Sequence, residues 1–237
     1  MIIDAHNHLG FRYDLGLSTD ELLRRLDRAG VDKAVCFAQP VVWDNEYVLQ
    51  AAGQHADRII PFAGIDPWRK TAAEEVRRCF ERGARGLKLH PVRDSYSLAE
   101  PRLVNPLFEL CAEWKAPIIS HGMNEWSNTP WQFNEMARRF PQVTLIMAHG
   151  GHNWLRDDAL EVVRRNPNLY VETSVMYSDY VNRYVDQIAA ERVLMGTDTP
   201  TEVHEVEMRK IEAAVPDRTK RALVMGGNLA RILGIKV

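Results

Sequence analysis

Cysteine is scarce: Cys36, Cys79 and Cys111 are the only three, scattered and odd in number. That excludes a disulfide framework and points to buried thiols in a reducing compartment. No apolar run approaches the roughly 18–20 residues of a membrane span, so no membrane association is expected. The polar motif that starts at Asp4 leaves no room for a secretory signal, and a cytoplasmic location is expected. Charge of one sign is also lacking. Lys and Arg number 30 and Asp and Glu 32, a formal net charge of −2. Without a basic bias, no nucleic-acid surface is expected. No linker, low-complexity tract or composition break divides the 237 residues. A single domain over 1–237 is the expected organisation, with a core that needs neither disulfide nor structural metal.

What is present is alternation. Strand-like runs at Ile2–His6, Lys33–Ala38, Ile59–Ile65, Gly86–His90, Pro117–Ser120, Val143–Ala148, Leu169–Ser174 and Val193–Gly196 alternate with helix-like segments. The helices are expected near Thr19–Ala29, Asn45–Ala56, Thr71–Arg82, Pro106–Trp114, Pro130–Phe140, Leu155–Asn166, Asp179–Ala189 and Val203–Val215. Thr19 is a candidate cap for the first, which carries Leu22, Leu23 and Leu26 on one face. The strands are short, continuous apolar runs, as suits parallel strands covered by helices. The expected class is α/β, a (β/α)₈ TIM barrel, with Thr219–Leu233 supplying one or two extra helices at its bottom. A doubly wound open sheet lacks support, because no Gly-rich phosphate loop follows the first strand.

Polar residues recur where these strands end. His6 and His8 end strand one, Lys88 and His90 strand four, His121 strand five, His149 strand six and Asp198 strand eight. In a (β/α)₈ barrel all such ends converge on one mouth. Alternate residues of a strand share a face, so His6 and His8 project together, about 6–7 Å apart along the backbone. Imidazoles with a carboxylate are the donors of catalytic zinc sites, and His6, His8, His121 and Asp198 make such a set. The metal would lower the pKa of a water toward about 7, giving a hydroxide nucleophile. Taken singly, His121 or His149 also reads as a satisfied buried histidine, and Asp198 as a helix cap or turn residue. Their joint phasing on four strands favours the metal site. Asp4 shares the strand-one face with His6 and His8 and is expected deeper in the barrel.

The segments IIDAHNHLG, GLKLHP, ISHG, MAHGG, GTDTP and GGNLARILGI resemble the amidohydrolase superfamily, in its order and over nearly the whole chain. The most similar branch comprises small hydrolases and decarboxylases related to aminocarboxymuconate-semialdehyde decarboxylase. The resemblance implies His6, His8, His121 and Asp198 as ligands of one divalent metal, and His149 as the residue that polarises substrate or activates water. Zinc is favoured, with manganese, iron or cobalt as alternatives. A second metal bridged by modified Lys88 is the less favoured reading. TatD-type deoxyribonucleases share the opening motif but need a glutamate where this chain has Lys88.

Loops after the strands carry candidate substrate contacts, with Lys88, His90, Arg93 and Trp126 the foremost and Arg12 among the rest. Glu172 and Thr173 are further candidates, of which one parity can face the barrel. The expected activity is hydrolysis of a small amide, ester or lactone, with His149 and Asp198 moving protons. The alternative is non-oxidative decarboxylation on the same site. A barrel that binds metal without catalysis is the reading from another class. The small size of the loops suggests a homodimer in which a neighbouring subunit helps cover the mouth.

Overall fold

The computed structural model describes residues 1–13, 15–123, 125–152 and 154–236. In chain order its elements are β1 (Ile3–Arg12), β2 (Leu15–Leu17), α1 (Thr19–Ala29), β3 (Lys33–Ala38), α2 (Asn45–Gln54), β4 (Ile59–Pro61), β5 (Ala63–Gly64) and α3 (Ala72–Glu81). Then follow β6 (Leu87–Leu89), α4 (Pro101–Trp114), β7 (Ile118–His121), α5 (Pro130–Arg139), β8 (Leu145–Ala148) and α6 (Arg156–Arg165). The last are β9 (Leu169–Glu172), α7 (Ser178–Gln187), β10 (Val193–Leu194), α8 (His204–Ala214), α9 (Arg218–Ala222) and α10 (Asn228–Leu233). The alternation expected from the sequence is present throughout. No helix among the described residues is long and apolar enough to cross a membrane.

β4 and β5 are the two halves of the single run expected at Ile59–Ile65. Its first half pairs in parallel with β3, and its second half with β6. From there β6, β7, β8, β9 and β10 pair in sequence, all parallel. The ring closes between β1 and the segment after β10. Ala5 N donates to Met195 O at 2.9 Å, His8 N to Thr199 O at 2.7 Å, and Asn7 bridges Thr199.

Inside the ring, Val35, Phe37, Ile60, Phe62, Ile119, Ile146, Tyr170 and Leu194 pack with Leu229 and Leu233 of α10. The terminal helix therefore plugs the barrel bottom, as its apolar residues suggested. Outward positions such as Ala34, Cys36 and Ala38 of β3 pack instead against Leu22 and Leu26 of α1.

Four local expectations change. Ser18, not Thr19, caps α1, its side chain accepting from Glu21 N at 3.2 Å. β2 is an added antiparallel strand that turns β1 back over the mouth. α4 starts at Pro101, capped by Glu100, and runs through Pro106, where the sequence suggested a beginning. The fourth change concerns β1. Its pairing with β3 slips by one residue between Asp4 and Asn7. Such a bulge sets two residues opposite one and reverses the inside–outside alternation. Ala5 thus joins the barrel core while His6 and His8 both reach the mouth, and Asp4 leaves their face.

Asp4, fully buried, becomes the clamp of the β1–β10 seam. Its Oδ1 accepts from His6 N at 2.9 Å and Thr197 N at 3.1 Å. Its Oδ2 accepts from Thr197 Oγ1 at 2.6 Å and stands 3.0 Å from Nε2 of buried His204. Deleting a buried acceptor strands its donors at about 1–3 kcal/mol each. Asp4→Ala is expected to lower the unfolding free energy by about 3 kcal/mol and Thr197→Val by about 1 kcal/mol, read by urea denaturation. Equal effects of the two substitutions would remove the clamp role.

Candidate metal centre and active-site mouth

Three donor atoms converge where β1 meets the segment after β10. His6 Nε2 lies 3.3 Å from His8 Nε2, and Asp198 Oδ1 lies 3.0 Å from the first and 3.1 Å from the second. Donors 2.0–2.1 Å from a tetrahedral ion stand about 3.3 Å apart, so the spacing fits a divalent metal. His6, His149 and Asp198 also offer ligand atoms within 4.8 Å of one another. His149 therefore borders the cluster.

The orientation of His6 fits a ligand as well. Its Nδ1 is 2.8 Å from Glu172 Oε2 of β9. A carboxylate only accepts, so Nδ1 carries a proton toward Glu172, and Nε2, 3.0 Å from Asp198 Oδ1, is the nitrogen turned to the cluster. Burial and the Lys88 ammonium push the His6 pKa down, but Asp198 and Glu172 on its two sides outweigh them and leave it raised. Burial pushes the pKa of His8 down to about 4, against its bond to Asp198. Burial also opposes the charge on Asp198, yet His6 and His8 hold its pKa well below the usual carboxylate range. The cluster thus presents an anionic oxygen between two imidazoles.

His149 opens an unusual turn. Residues 149–152 have φ of 63°, 52°, 77° and 47°, a left-handed run of which only Gly150 and Gly151 adopt such angles freely. A Cβ on Gly150 would also stand 2.8 Å from Met176 Sδ. This is the physical content of the MAHGG segment. Asp198 shares the left-handed conformation, with φ of 59°. Backbone strain at two site residues is characteristic of positions held by their surroundings.

The remaining candidates fall into two groups. His121, at the end of β7, has Nδ1 3.1 Å from His149 Nε2 and Nε2 3.7 Å from Glu125. Its ring stacks on His90, centroids 4.2 Å apart. It joins the site through His149. Lys88 is fully buried, with Nζ 3.1 Å from His6 Nε2 and 4.7 Å above the Phe37 ring. Burial lowers its pKa to about 8, against the pull of Asp198 and Glu172.

Above the cluster opens a cavity of about 640 Å³, walled by His8, Asp198, His90, His121, Arg12 and Arg93 among others. Burial leaves His90 and His149 with pKa values well below the usual imidazole range, so both are neutral acid–base groups. Trp126 is 74% exposed on the outer rim and does not line this cavity. Arg12, placed by the β1–β2 hairpin, has a buried Nε with no hydrogen-bond partner among the described residues.

Sequence reasoning missed Ser174 and the Asp4–Thr197–His204 contacts, and left Glu172 and Thr173 unresolved. Parity was the available signal. Tyr170 lies in the barrel interior, so Glu172 and Ser174 face inward, while Thr173 turns out to bond Glu207 at 2.6 Å. Asp4 carried no such signal, because a bulge leaves no mark in the alternation of so short a strand.

The profile of the family described as Amidohydrolase matches residues 3–235. No curated protein matches the chain. A 2,6-dihydroxybenzoate decarboxylase structure from Rhizobium is 16% identical, covers 99% of this chain and 98% of its own, and superposes with a TM-score of 0.81. A probable 2-pyrone-4,6-dicarboxylic acid hydrolase from Acinetobacter baumannii is 14% identical over 98% of this chain and 99% of its own, with a TM-score of 0.77. A dihydroxybenzoic acid decarboxylase from Polaromonas, solved with bound manganese, is 16% identical over 99% of this chain and 97% of its own, with a TM-score of 0.80. At such identities the likeness establishes the barrel alone; the family match spans nearly the whole chain, and the protein is an enzyme of the amidohydrolase family.

Proposed function

We propose that the protein is a metal-dependent hydrolase of a small organic amide, ester or lactone. The observation that carries this reading is the convergence of His6 Nε2, His8 Nε2 and Asp198 Oδ1 within 3.0–3.3 Å of one another beside the mouth cavity. His6, His8 and Asp198 would hold one divalent ion, with His121 completing the set. Zinc suits these donors, and manganese is the alternative that the Polaromonas structure illustrates. A bound ion would acidify water and polarise a substrate carbonyl.

The chain's own residues supply the rest. Asp198 accepts the proton released at the cluster, and His149 Nε2 carries protons between cluster and cavity. Arg93, with Arg12 on the facing wall, gives the cavity a cationic rim suited to a carboxylate. His90 bounds the substrate from below, while Lys88 stays buried beside His6 and Trp126 stands outside the cavity. The same cationic rim also favours a second reading, non-oxidative decarboxylation of an aromatic or unsaturated acid.

The loops around the mouth leave Phe11, Tyr13, Trp126 and Trp154 between 61% and 92% exposed. We propose that a second copy covers them in a homodimer. Sedimentation is expected to give twice the chain mass, and a monomer at micromolar concentration would remove this element.

Two experiments test the reading. After incubation with zinc and desalting, the wild type is expected to hold about one ion per chain. Asp198→Asn and His8→Ala are expected to hold far less while keeping the far-ultraviolet dichroism of the folded barrel. A wild type that retains no ion would end the metal reading. The second experiment uses isotopic solvent and a panel of lactones, esters, amides and dihydroxybenzoates. Hydrolysis places solvent ¹⁸O in the product carboxylate. Decarboxylation releases carbon dioxide and places solvent deuterium on carbon. Turnover on either branch should fall at least about 100-fold in Asp198→Asn.

A further inference from the structure

Glu172 is not among the residues that line the mouth cavity, yet among the described residues its hydrogen bonds lead to two histidines of the site. Its Oε2 accepts from His6 Nδ1 at 2.8 Å and from Ser174 Oγ at 2.9 Å. Its Oε1 accepts from the Ser174 backbone N–H. Ser174 Oγ in turn lies 2.8 Å from His149 Nδ1. All four residues are buried, with no more than 1% exposure.

From this geometry we propose that Glu172, acting through Ser174, sets which ring nitrogen is bare in both His6 and His149. It is a positioning residue that couples the metal ligand to the proton carrier. The proposal rests on the functional reading above for the roles of His6 and His149.

The direction of each proton follows from the acceptors. The hydroxyl of Ser174 has one proton, and a carboxylate can only receive it. With that proton on Glu172, the Ser174 oxygen must accept from His149, so His149 Nδ1 is protonated. The Ser174 carbonyl, which also only accepts, lies 3.4 Å from the same Nδ1 and demands the same tautomer. His149 Nε2 is then bare and directed at the cluster, 3.1 Å from His121 Nδ1. His6 is held directly, its Nδ1 proton on Glu172, so that Nε2 is the nitrogen turned to the cluster and left for a metal. One carboxylate thereby turns two imidazoles the same way.

The seat for this carboxylate is built. A Cβ on Gly196 would stand 2.4 Å from Glu172 Oε1, so only glycine in the segment after β10 admits it. Gly196 lies two residues before Asp198, which ties the seat to the metal-binding segment itself.

The decisive variant is Glu172→Gln. With its amide oxygen on the Ser174 N–H, its NH₂ faces His6 Nδ1 and Ser174 Oγ. Ser174 must then donate to His149, and both rings turn to the Nε2–H form. Side-chain ¹⁵N NMR of the full-length, zinc-free protein is expected to show His149 as Nδ1–H in the wild type and Nε2–H in Glu172→Gln. Zinc affinity in the same variant is expected to fall about 10- to 100-fold. Ser174→Ala is the milder companion. It cuts only the branch to His149, so it should lower kcat about 10-fold or more while zinc affinity and KM stay near wild type. The proposal is overturned if His149 keeps Nδ1–H and zinc affinity is unchanged in Glu172→Gln. It is overturned equally if Ser174→Ala lowers zinc affinity as much as Glu172→Gln does. The tautomer and zinc titration need no substrate, so their failure is distinguishable from a failure of the functional reading.

Discussion

A single extra residue in β1 governs how this barrel becomes a site. Without the slip between Asp4 and Asn7, strict alternation would leave Ala5 and His6 on opposite faces. With it, Ala5 fills the barrel core beside Val35 and Phe37, and His6 and His8 both project toward the mouth. The same slip turns Asp4 outward, where it gathers the N–H groups of His6 and Thr197. Thr197 immediately precedes Asp198. The bulge therefore positions two proposed ligands by backbone geometry and the third through the clamp. Candidate ligands drawn from opposite ends of the chain are thus joined through the contacts of one buried carboxylate.

Burying so many ionisable groups carries an electrostatic constraint. Asp198, Glu172, Lys88 and five histidines lie within one barrel end, where an uncompensated charge costs several kcal/mol. The compensation is internal. Asp198 sits between two imidazoles, Glu172 between His6 and the Ser174 donors, and the Lys88 ammonium over the Phe37 ring and beside His6. Histidines without a carboxylate partner, His90 and His149, meet the same constraint by remaining neutral. The result is a polarised but preorganised environment, in which the acceptor atoms face the cluster before any ligand arrives. Preorganisation of this kind is where electrostatic catalysis finds most of its advantage.

How much of this was legible beforehand depended on periodicity. The strand order, the helices and the convergence of His6, His8, His121, His149 and Asp198 at one end followed from apolar runs and the residues that terminate them. The Asp4 clamp was not legible, since a bulge changes facing without changing composition. Ser174 was not legible either. A serine at a strand end is common, and its meaning here depends on a glutamate two residues away and a histidine on another strand. Trp126 reads as a substrate contact by position, yet it lies 74% exposed because its loop turns the ring outward from the cavity. Side-chain direction in a loop has no period to reveal it.

The division between strand-borne and loop-borne residues has a consequence for the chemistry. His6, His8, Glu172, Lys88 and His121 sit on paired strands, and His149 and Asp198 sit immediately beyond them in constrained left-handed turns. Strand pairing and packed turns fix these positions, so the cluster offers the same donor atoms to any substrate. Hydrolysis and decarboxylation both need a polarised oxygen and a proton delivered or removed within hydrogen-bond reach. They differ in which substrate atom is placed over the cluster. That placement belongs to the cavity walls, which Arg12, at the end of β1, and Arg93, beyond β6, both line. A carboxylate drawn to the arginine rim leaves the substrate's other functional group over the cluster and favours hydrolysis. One drawn down to the cluster favours loss of carbon dioxide. On the proposed reading, the balance between these two attractions, one at the rim and one at the strand ends, is what selects between the two reactions.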